Sequence, residues 1–291
     1  MKLKPDWNVE GSDWPGRNTS RFVRAGGLDW HVQSAGSGPV LLLIHGTGAA
    51  THSWRGLTPL LAKRFKVFSF DLPGHGFTEL PRRGQFTLPQ MTTAIAGLLQ
   101  AVDVVPTFVV AHSAGAAIAV RMAIDGTIAP DTIVSLNGAL MPFPGIAAVA
   151  FPTLAKLLFL NPLAAPFLAR RANDNDSIAR LIRGTGSRLD PLGIDLYARL
   201  FRTERHMAAT VGMMANWDLL SLKRELPKLR APLVLVAADR DRAVAPHVAG
   251  DVRSIVPGAR IVSVQGYGHL AHEEAPAIIE HVIRDAALAP C

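Results

Sequence analysis

The apolar residues of this chain fall into short continuous runs that are separated by longer amphipathic stretches. Short apolar runs rich in β-branched side chains are typical of strands buried on both faces of a parallel sheet. Six such runs predict strands. They are Val40–Ile44, Phe65–Phe70, the run that begins at Phe108, Thr132–Leu136, Leu233–Ala237 and Arg260–Val264.

Helical patterns lie between these runs, with apolar residues three or four positions apart. They cover roughly Ser53–Lys63, Leu88–Ala101, the Ala-rich stretch after Ser113, and Ala275–Leu288. Near the start, Arg21–Val23 and Leu28–Gln33 alternate around Gly26 and Gly27, which predicts an antiparallel hairpin. The alternation of strands and helices predicts an α/β fold with a mainly parallel, doubly wound sheet.

This alternation is interrupted between about residues 139 and 222. Residues 139–169 are strongly apolar, with Lys156 as their only charge, but they contain five prolines. Prolines at that density argue against one continuous membrane-spanning helix. We therefore expect a helical cap, residues 139–222, inserted into a single core. Residues 1–138 would form the first part of that core and residues 223–291 the second.

Ser113 stands between the run that begins at Phe108 and the Ala-rich helix. Ala111 and Gly115 lie two residues before and after it, which is close to the G-x-S-x-G pattern of a nucleophile elbow. Such a turn exposes the hydroxyl and directs the next backbone N–H, that of Ala114, at the group under attack. The alternative is a core serine that caps a buried helix, because serine is common at that position.

A serine hydroxyl needs a neighbouring base before it can act as a nucleophile. A polar loop with Asp239 and Asp241 follows one predicted strand, and His269 follows the last strand. In this architecture the order serine, acid, histidine along the chain is expected, and both loops end at the edge where open α/β sheets bind ligands. The sequence predicts a triad of Ser113, His269 and Asp241, with Asp239 as the alternative acid. A histidine with only local hydrogen bonds is the other interpretation of His269.

The string His45-Gly-Thr-Gly48 follows the predicted strand Val40–Ile44 and offers a second oxyanion donor, the N–H of Thr47. With Asp71 at the end of the next strand, the same glycines partly match a dinucleotide-binding fingerprint. The third glycine of that fingerprint is absent, and the alternative leaves Ser113 and its predicted partners unexplained. The order of residues after His269 is not that of a helical zinc site, so we expect no metal and no cofactor.

Composition limits the partners and the compartment. Of the 291 residues 49% are hydrophobic, enough for a large buried core, and the formal net charge is +7. The Lys and Arg residues form no basic run, so we expect no nucleic-acid partner. The one cysteine, Cys291, gives no disulfide framework, and the N-terminus lacks the apolar region of a signal peptide. These features predict a cytoplasmic protein.

Several longer strings of residues resemble those of a known protein family. They are Asp13-Trp-Pro15, Ser20-Arg-Phe-Val-Arg-Ala-Gly-Gly27, Trp30-His-Val-Gln33, His45-Gly-Thr-Gly-Ala-Ala-Thr-His-Ser-Trp-Arg55, Asp71-Leu-Pro-Gly-His-Gly-Phe-Thr78, Gly184-Thr-Gly-Ser187, Gly212-Met-Met-Ala-Asn-Trp-Asp218 and Gly268-His-Leu-Ala-His-Glu-Glu-Ala-Pro276. With the elbow and the late histidine, the chain resembles the α/β-hydrolase fold family. Within it, the chain resembles the magnesium-chelatase accessory proteins of bacteriochlorophyll synthesis. The resemblance implies a role near magnesium insertion into protoporphyrin, with a tetrapyrrole and magnesium chelatase as expected partners.

The predicted cap is consistent with an apolar substrate. In the cap we expect arginines that pair with the carboxylates of a substrate, and these are Arg170, Arg171, Arg180, Arg183 and Arg188. We also expect apolar residues that line a pocket, and these are Met213, Met214 and Trp217. An ordinary cap core with a solvated basic rim is the alternative. The apolar cap also suggests peripheral membrane contact. Two functions remain: a serine hydrolase acting on an ester or related acyl compound, and a non-catalytic protein that binds a tetrapyrrole or assists the chelatase.

Overall fold

The computed structural model describes residues 2–81, 86–142, 161, 164–171 and 175–288. Its described strands form one eight-stranded sheet. Their bounds are β1 Ser20–Ala25, β2 Leu28–Ala35, β3 Val40–Ile44, β4 Lys66–Phe70, β5 Phe108–His112, β6 Thr132–Leu136, β7 Leu233–Ala238 and β8 Arg260–Val264. Each predicted strand and the predicted hairpin are confirmed, with ends that shift by a residue or two.

The strand order across the sheet is β1-β2-β4-β3-β5-β6-β7-β8. The β1–β2 and β2–β4 pairs are antiparallel, and the pairs from β4 through β8 are parallel. The predicted α/β fold with a mainly parallel sheet is therefore confirmed. Because parallel strands end at one edge, the loops after β3, β5, β7 and β8 lie along the same side of the molecule.

The described helices are short to medium in length. Their bounds are α1 Thr58–Leu61, α2 Leu88–Ala101, α3 Ala114–Ile124, α4 Ala164–Arg171, α5 Asn175–Gly184, α6 Pro191–Phe201, α7 Glu204–Ala215, α8 Leu219–Glu225, α9 Val248–Ile255, α10 Ala271–Glu274 and α11 Pro276–Leu288. The helix predicted over Ser53–Lys63 is wrong in part, since the chain forms a 3-10 turn, Thr51–Trp54, and then α1. Pro59 fits only the first turn of a helix, so α1 begins anew just before it.

The sheet separates two apolar layers, and α3 lies closest to it. One cluster includes Leu42, Ile44 and the alanines of α3, and the other includes Leu41 and Leu43. A side chain at Gly115 would place a Cβ atom 2.4 Å from the Ile44 carbonyl oxygen, so the small residues of α3 permit this close approach. The Ala-rich composition after Ser113 therefore sets how near the helix lies to the sheet.

Helices α4 to α8 lie between β6 and β7 in the chain, within and just beyond the predicted cap. The predicted limits 139–222 remain a prediction, and α8 runs past residue 222. Most of the apolar, proline-rich stretch, residues 143–160 and 162–163, is outside the described residues. Within the described part of the chain, no helix has both the length and the hydropathy needed to cross a membrane.

Buried polar contacts of His206 and Tyr197 join the cap helices to the core. His206 on α7 accepts a hydrogen bond at Nδ1 from the Gly76 N–H (3.1 Å), and its Nε2 lies 3.1 Å from the Gly48 carbonyl oxygen. Because Nδ1 accepts, Nε2 carries the proton and donates to Gly48. The Tyr197 hydroxyl of α6 donates to Glu273 of α10 (2.7 Å). Glu273 also pairs with Arg55, and both of these residues belong to the core.

Histidine is unusually buried in this chain. Of its ten histidines, eight are buried: His31, His45, His52, His75, His112, His206, His269 and His272. Burial lowers the pKa of six of them, His206 to about 4 and His272 to about 3; the other four are His45, His52, His75 and His112. An apolar environment disfavours the charged imidazolium, so these rings are neutral in the native state at pH 7.

We therefore predict a steep loss of stability in mild acid. The unfolded chain binds protons at these six side chains below about pH 6.5, whereas the native state holds all six pKa values lower, that of His206 at about 4 and that of His272 at about 3. Stability is thus fully present above pH 6.5 and is lost as the pH falls below it, by up to about 1.4 kcal/mol per pH unit for each histidine that stays neutral. Urea unfolding at pH 7.5, 6.5 and 5.5 measures the slope.

A matched pair of variants identifies the source of that slope. His52→Gln removes one of the buried rings, so the slope of the free energy of unfolding against pH should decrease by about 1.4 kcal/mol per pH unit, which corresponds to one proton. His247→Gln changes an exposed ring and should leave this slope unaltered. A free energy of unfolding that is equal at pH 7.5 and 5.5 would contradict the prediction.

Candidate active site

Ser113 occupies a sharp turn between β5 and α3. Its backbone has φ 52° and ψ −120°, a region that a residue with a side chain rarely adopts. The turn is held because the Ser113 N–H donates to the Leu136 carbonyl, and its own carbonyl accepts from the N–H groups of Ala116 and Ala139, each at 3.0 Å. Strain of this kind costs about 1–3 kcal/mol and is common at functional sites. The half-buried Ser113 therefore has the backbone of a nucleophile elbow.

The small residues around the turn are required by its packing. A Cβ atom at Gly46 would lie 2.9 Å from the Ser113 Cβ and 2.9 Å from the His112 Nδ1. Ala111, which stands where the motif has glycine, is fully buried between Ile44 of β3 and Ser135 of β6. The elbow forms with its methyl group in place, so this departure from the motif does not disturb the turn.

His269 and Asp241 come together at the ends of β8 and β7. The His269 Nδ1 lies 2.8 Å from Asp241 Oδ2, and both side chains are nearly buried. The other oxygen, Oδ1, accepts hydrogen bonds from the Ala243 N–H (2.8 Å) and the Val244 N–H (2.9 Å). A carboxylate can only accept, so Nδ1 carries the proton and Nε2 is left to accept one.

Asp239, the alternative acid, has a different task. Its Oδ1 accepts the Gly266 N–H at 2.6 Å and closes the turn that begins the loop before His269. Asp239 therefore supports the backbone of this loop, while Asp241 contacts the imidazole. Of the two aspartates, Asp241 has the position that a base-orienting carboxylate needs.

Two residues that the sequence did not suggest fix the His269 backbone. Asn137, just after β6, donates from Nδ2 to the carbonyls of Gly268 (3.1 Å) and His269 (2.8 Å), and accepts the Ala238 N–H at 2.9 Å. The His112 Nε2 lies 2.9 Å from the same His269 carbonyl. Since His112 precedes Ser113, this contact joins the elbow to the His269 loop. Asn137 also has a positive φ of 47°, which asparagine tolerates better than most residues.

The loop after β3 contacts α7. The Thr47 hydroxyl donates to the Met213 sulfur at 3.2 Å, and the next residue, Gly48, has φ 78° and is bonded to His206. The Ala114 N–H is the first of α3 and so has no carbonyl partner within the helix. Thr47 and Ala114, the predicted oxyanion donors, thus belong to the loop after β3 and to the start of α3.

The dinucleotide interpretation is wrong because Asp71 is used inside the protein. Asp71 is fully buried and accepts hydrogen bonds from the N–H groups of Thr51 (2.7 Å) and Phe77 (2.9 Å), and its Oδ2 lies 2.8 Å from the His31 Nδ1. Burial acts to raise the pKa of Asp71, but His31 and the other donors outweigh it and hold that pKa below its ordinary value. No carboxylate oxygen is left for a ribose.

The remaining candidates lie in and beside the cap helices. Met213 is buried, Met214 and Trp217 are half-buried, and Arg180, Arg183 and Arg188 are exposed. Arg170 and Arg171 end α4, but their side chains are outside the described part of the structure. No group of three or more His, Cys, Asp or Glu among the described residues is arranged to hold a metal ion. His272 is fully buried against Trp54 and His112.

Sequence comparison finds known proteins that match most of the chain. The magnesium-chelatase 30 kDa subunit of Rhodobacter capsulatus is 38% identical over 276 residues, which cover 94% of this chain and 96% of that protein. The pimeloyl-acyl-carrier-protein methyl ester esterase of Methylococcus capsulatus is 28% identical over 263 residues, 86% of this chain and 96% of the esterase.

Solved structures share the fold. An α/β hydrolase fold protein from Burkholderia ambifaria matches with a TM-score of 0.77 at 22% identity, over 92% of this chain and 97% of that one. The enol-lactonase from Burkholderia xenovorans LB400 matches with a TM-score of 0.73 at 19% identity, over 91% and 98%. A family model described as the alpha/beta hydrolase fold matches residues 39–276. The chain therefore belongs to the α/β-hydrolase fold family.

Proposed function

We propose that this protein is a serine hydrolase that cleaves an ester or a related acyl compound, with Ser113, His269 and Asp241 as its triad. The observation that carries the proposal is the Asp241–His269 hydrogen bond, at neighbouring strand ends of a sheet that also presents Ser113 on a strained turn. A buried carboxylate that orients an imidazole, beside an elbow serine, is the arrangement that acyl transfer requires.

The chemistry follows from the positions of these groups. His269 Nε2 takes the Ser113 hydroxyl proton as the oxygen attacks the acyl carbon, and Asp241 stabilises the imidazolium. The N–H groups of Thr47 and Ala114 stabilise the developing oxyanion. His269 then gives its proton to the leaving group, which departs and leaves an acyl ester on Ser113. Water, with its proton taken by His269, releases the acid and restores the serine.

We propose an apolar substrate and, within that class, a tetrapyrrole; one contact and two relatives bear on this part of the proposal. Met213 lies against Thr47, so apolar groups of α7 adjoin the proposed oxyanion site. The Rhodobacter capsulatus relative is described as a magnesium-chelatase subunit, which favours magnesium chelatase as a partner. The esterase relative acts on a methyl ester, a bond of the class proposed here. We retain peripheral membrane contact through the cap, and a cytoplasmic location, as parts of this proposal.

The chelatase relative also favours a second function, in which the protein binds a tetrapyrrole or assists the chelatase without hydrolysis. In that case the triad would be dispensable, and the cap would carry the function. The strained backbone at Ser113 supports hydrolysis instead. An elbow without a catalytic role would retain the free-energy cost of its strained backbone with no function to offset it.

The first test of hydrolysis is covalent labelling with a fluorophosphonate probe. We expect the wild-type protein to be labelled at Ser113, and Ser113→Ala to be unlabelled while it remains folded. Buried Ser69, which has no hydrogen-bond partner among the described groups, gives the control Ser69→Ala, which should be labelled as the wild type is. Mass spectrometry locates the adduct. A wild-type protein that resists the probe over hours would count against an activated serine.

The two aspartates provide a matched comparison. Asp241→Asn should lower the rate of p-nitrophenyl butyrate hydrolysis by about 10³–10⁴-fold, because the amide favours the wrong imidazole tautomer. Asp239→Asn removes the charge but keeps an oxygen that can still accept the Gly266 N–H, so it should cost less than about 10-fold. Steady-state rates for both variants decide the assignment, which would be reversed if Asp239→Asn had the larger effect.

The hydrolytic function and the chelatase-assisting function predict opposite results for the Ser113→Ala variant in a cell. In a bacteriochlorophyll-producing host that lacks its own copy of the relative, Ser113→Ala should fail to restore pigment although the protein accumulates normally. Loss of the nucleophile disables a triad as a unit, so no partial rescue is expected. Absorbance of extracted pigment and an immunoblot measure the two quantities. Full rescue by Ser113→Ala would favour the non-catalytic function.

A further inference from the structure

A short cap segment lies between the two loops that carry Asp241 and His269. This segment, Thr185 to Arg188, directly follows α5 and will be called the clasp. It belongs to one of the sequence strings that no catalytic role has yet explained. The Ser187 side chain within it is fully buried, so its hydroxyl is directed into the protein rather than toward solvent.

The clasp supplies hydrogen-bond acceptors to the backbone around His269. The Ser187 Oγ accepts the N–H of Leu270 at 2.7 Å, and the Thr185 carbonyl accepts the N–H of His269 at 3.4 Å. The same carbonyl accepts the N–H of Arg242 at 3.1 Å. Since Arg242 directly follows Asp241, a single cap carbonyl joins the loop of the acid to the loop of the base.

Glu274 extends this arrangement to the residue before His269. Its Oε2 accepts the Gly268 N–H at 2.9 Å, and its Oε1 accepts the Arg188 N–H at 2.9 Å. Three consecutive N–H groups, those of Gly268, His269 and Leu270, are therefore bonded to the clasp or to the carboxylate that the clasp contacts. An N–H left unpaired there would cost free energy, so these contacts fix the path of the loop.

The clasp approaches these loops too closely for larger residues. A Cβ atom at Gly268 would lie 2.3 Å from the Gly186 carbonyl carbon and 2.4 Å from the Ser187 nitrogen. At Gly186, where φ is 88°, a Cβ atom would lie 2.0 Å from the Arg240 carbonyl oxygen. Backbone packs on backbone on both sides of the clasp, which leaves the loops little room to shift.

We propose that Ser187 is a positioning residue that sets the orientation of His269 toward Asp241 through the Leu270 N–H. This inference rests on the proposed function, because it concerns the geometry of the base. Ser187 does not touch the reacting atoms. Its loss frees the backbone on the C-terminal side of His269, and the imidazole then spends less time aligned with Asp241. The effect belongs to the chemical step rather than to substrate binding.

The test measures p-nitrophenyl butyrate hydrolysis in a double-mutant cycle of Ser187→Ala with His269→Ala. Ser187→Ala alone should lower kcat by about 10–100-fold with KM within about 2-fold of wild type. In the His269→Ala background it should have no further effect, because Ser187 acts only through that ring. Ser187→Cys, which keeps a weaker acceptor in place, should give an intermediate kcat, and Ser69→Ala should equal the wild type.

The outcomes separate this inference from the proposed function. A wild-type protein without hydrolysis or probe labelling overturns both. An active wild type whose Ser187→Ala variant keeps full kcat overturns the positioning role alone. The same follows if Ser187→Ala lowers the residual rate of His269→Ala as much as it lowers that of the wild type, since the effect would then be a general structural one. Faster hydrogen exchange at the Leu270 amide in folded Ser187→Ala is also expected, and unchanged exchange would contradict the inference.

Discussion

The position of the site depends on how the backbone of Gly268 and His269 is held. Its carbonyls accept hydrogen bonds from Asn137 and its N–H groups donate to Glu274 and Thr185. These partners come from the end of β6, from α10 and from the cap, so three separate parts of the chain must fold before the loop has one conformation. The imidazole contact with Asp241 is then the consequence of a backbone that is already fixed. A loop without these partners would leave the ring free to rotate away from its acid.

Neutral histidine is a second constraint on the whole molecule. His206 uses one ring nitrogen as an acceptor and the other as a donor, which only the neutral imidazole can do. Through these bonds it joins α7 to the loop that contains Thr47. Burial lowers its pKa to about 4, so the neutral form persists well below physiological pH. The cap and the proposed oxyanion loop are thus held together by a contact that depends on the protonation state of one ring.

The sequence predicted the parts of this protein in which local pattern and tertiary structure agree. Each buried strand was visible as an apolar run, and the mainly parallel, doubly wound sheet followed from the alternation with helices. The choice of Asp241 over Asp239 as the triad acid remains a prediction; Asp241 Oδ2 lies 2.8 Å from the His269 Nδ1. The helix over Ser53–Lys63 was overestimated, because its apolar spacing continues across Gly56 while the helical backbone is interrupted between Trp54 and Thr58.

Other features could not be predicted because they depend on contacts between distant residues. Asn137 lies 131 and 132 positions from the carbonyls that it binds, and Ser187 lies 83 from Leu270. Neither belongs to a catalytic motif, and asparagine and serine are common in loops that have no such role. The burial of His52 and His272 was equally hidden, since histidine is found both inside and outside folded proteins. The available signal for Ser187 was the string Gly184-Thr-Gly-Ser187. This string contributed to the family resemblance but did not indicate which residues it contacts.

The contacts of the cap also limit how a substrate can reach Ser113. To lift α6 and α7 as a unit, the protein would have to break the Gly48 and Gly76 bonds to His206, the Tyr197–Glu273 bond and the Arg55–Asp190 pair. Each of the three hydrogen bonds contributes about 0.5–1.5 kcal/mol, and the Arg55–Asp190 pair, whose aspartate is exposed, contributes at most about 1 kcal/mol. The apolar contacts of α6 with Ala49 and Ala50 would be lost as well. Lifting both helices would therefore cost a sizeable part of a typical stability of about 5–15 kcal/mol. We expect a substrate to reach Ser113 through smaller movements that leave α6 and α7 in place, with Met213 beside the proposed oxyanion loop.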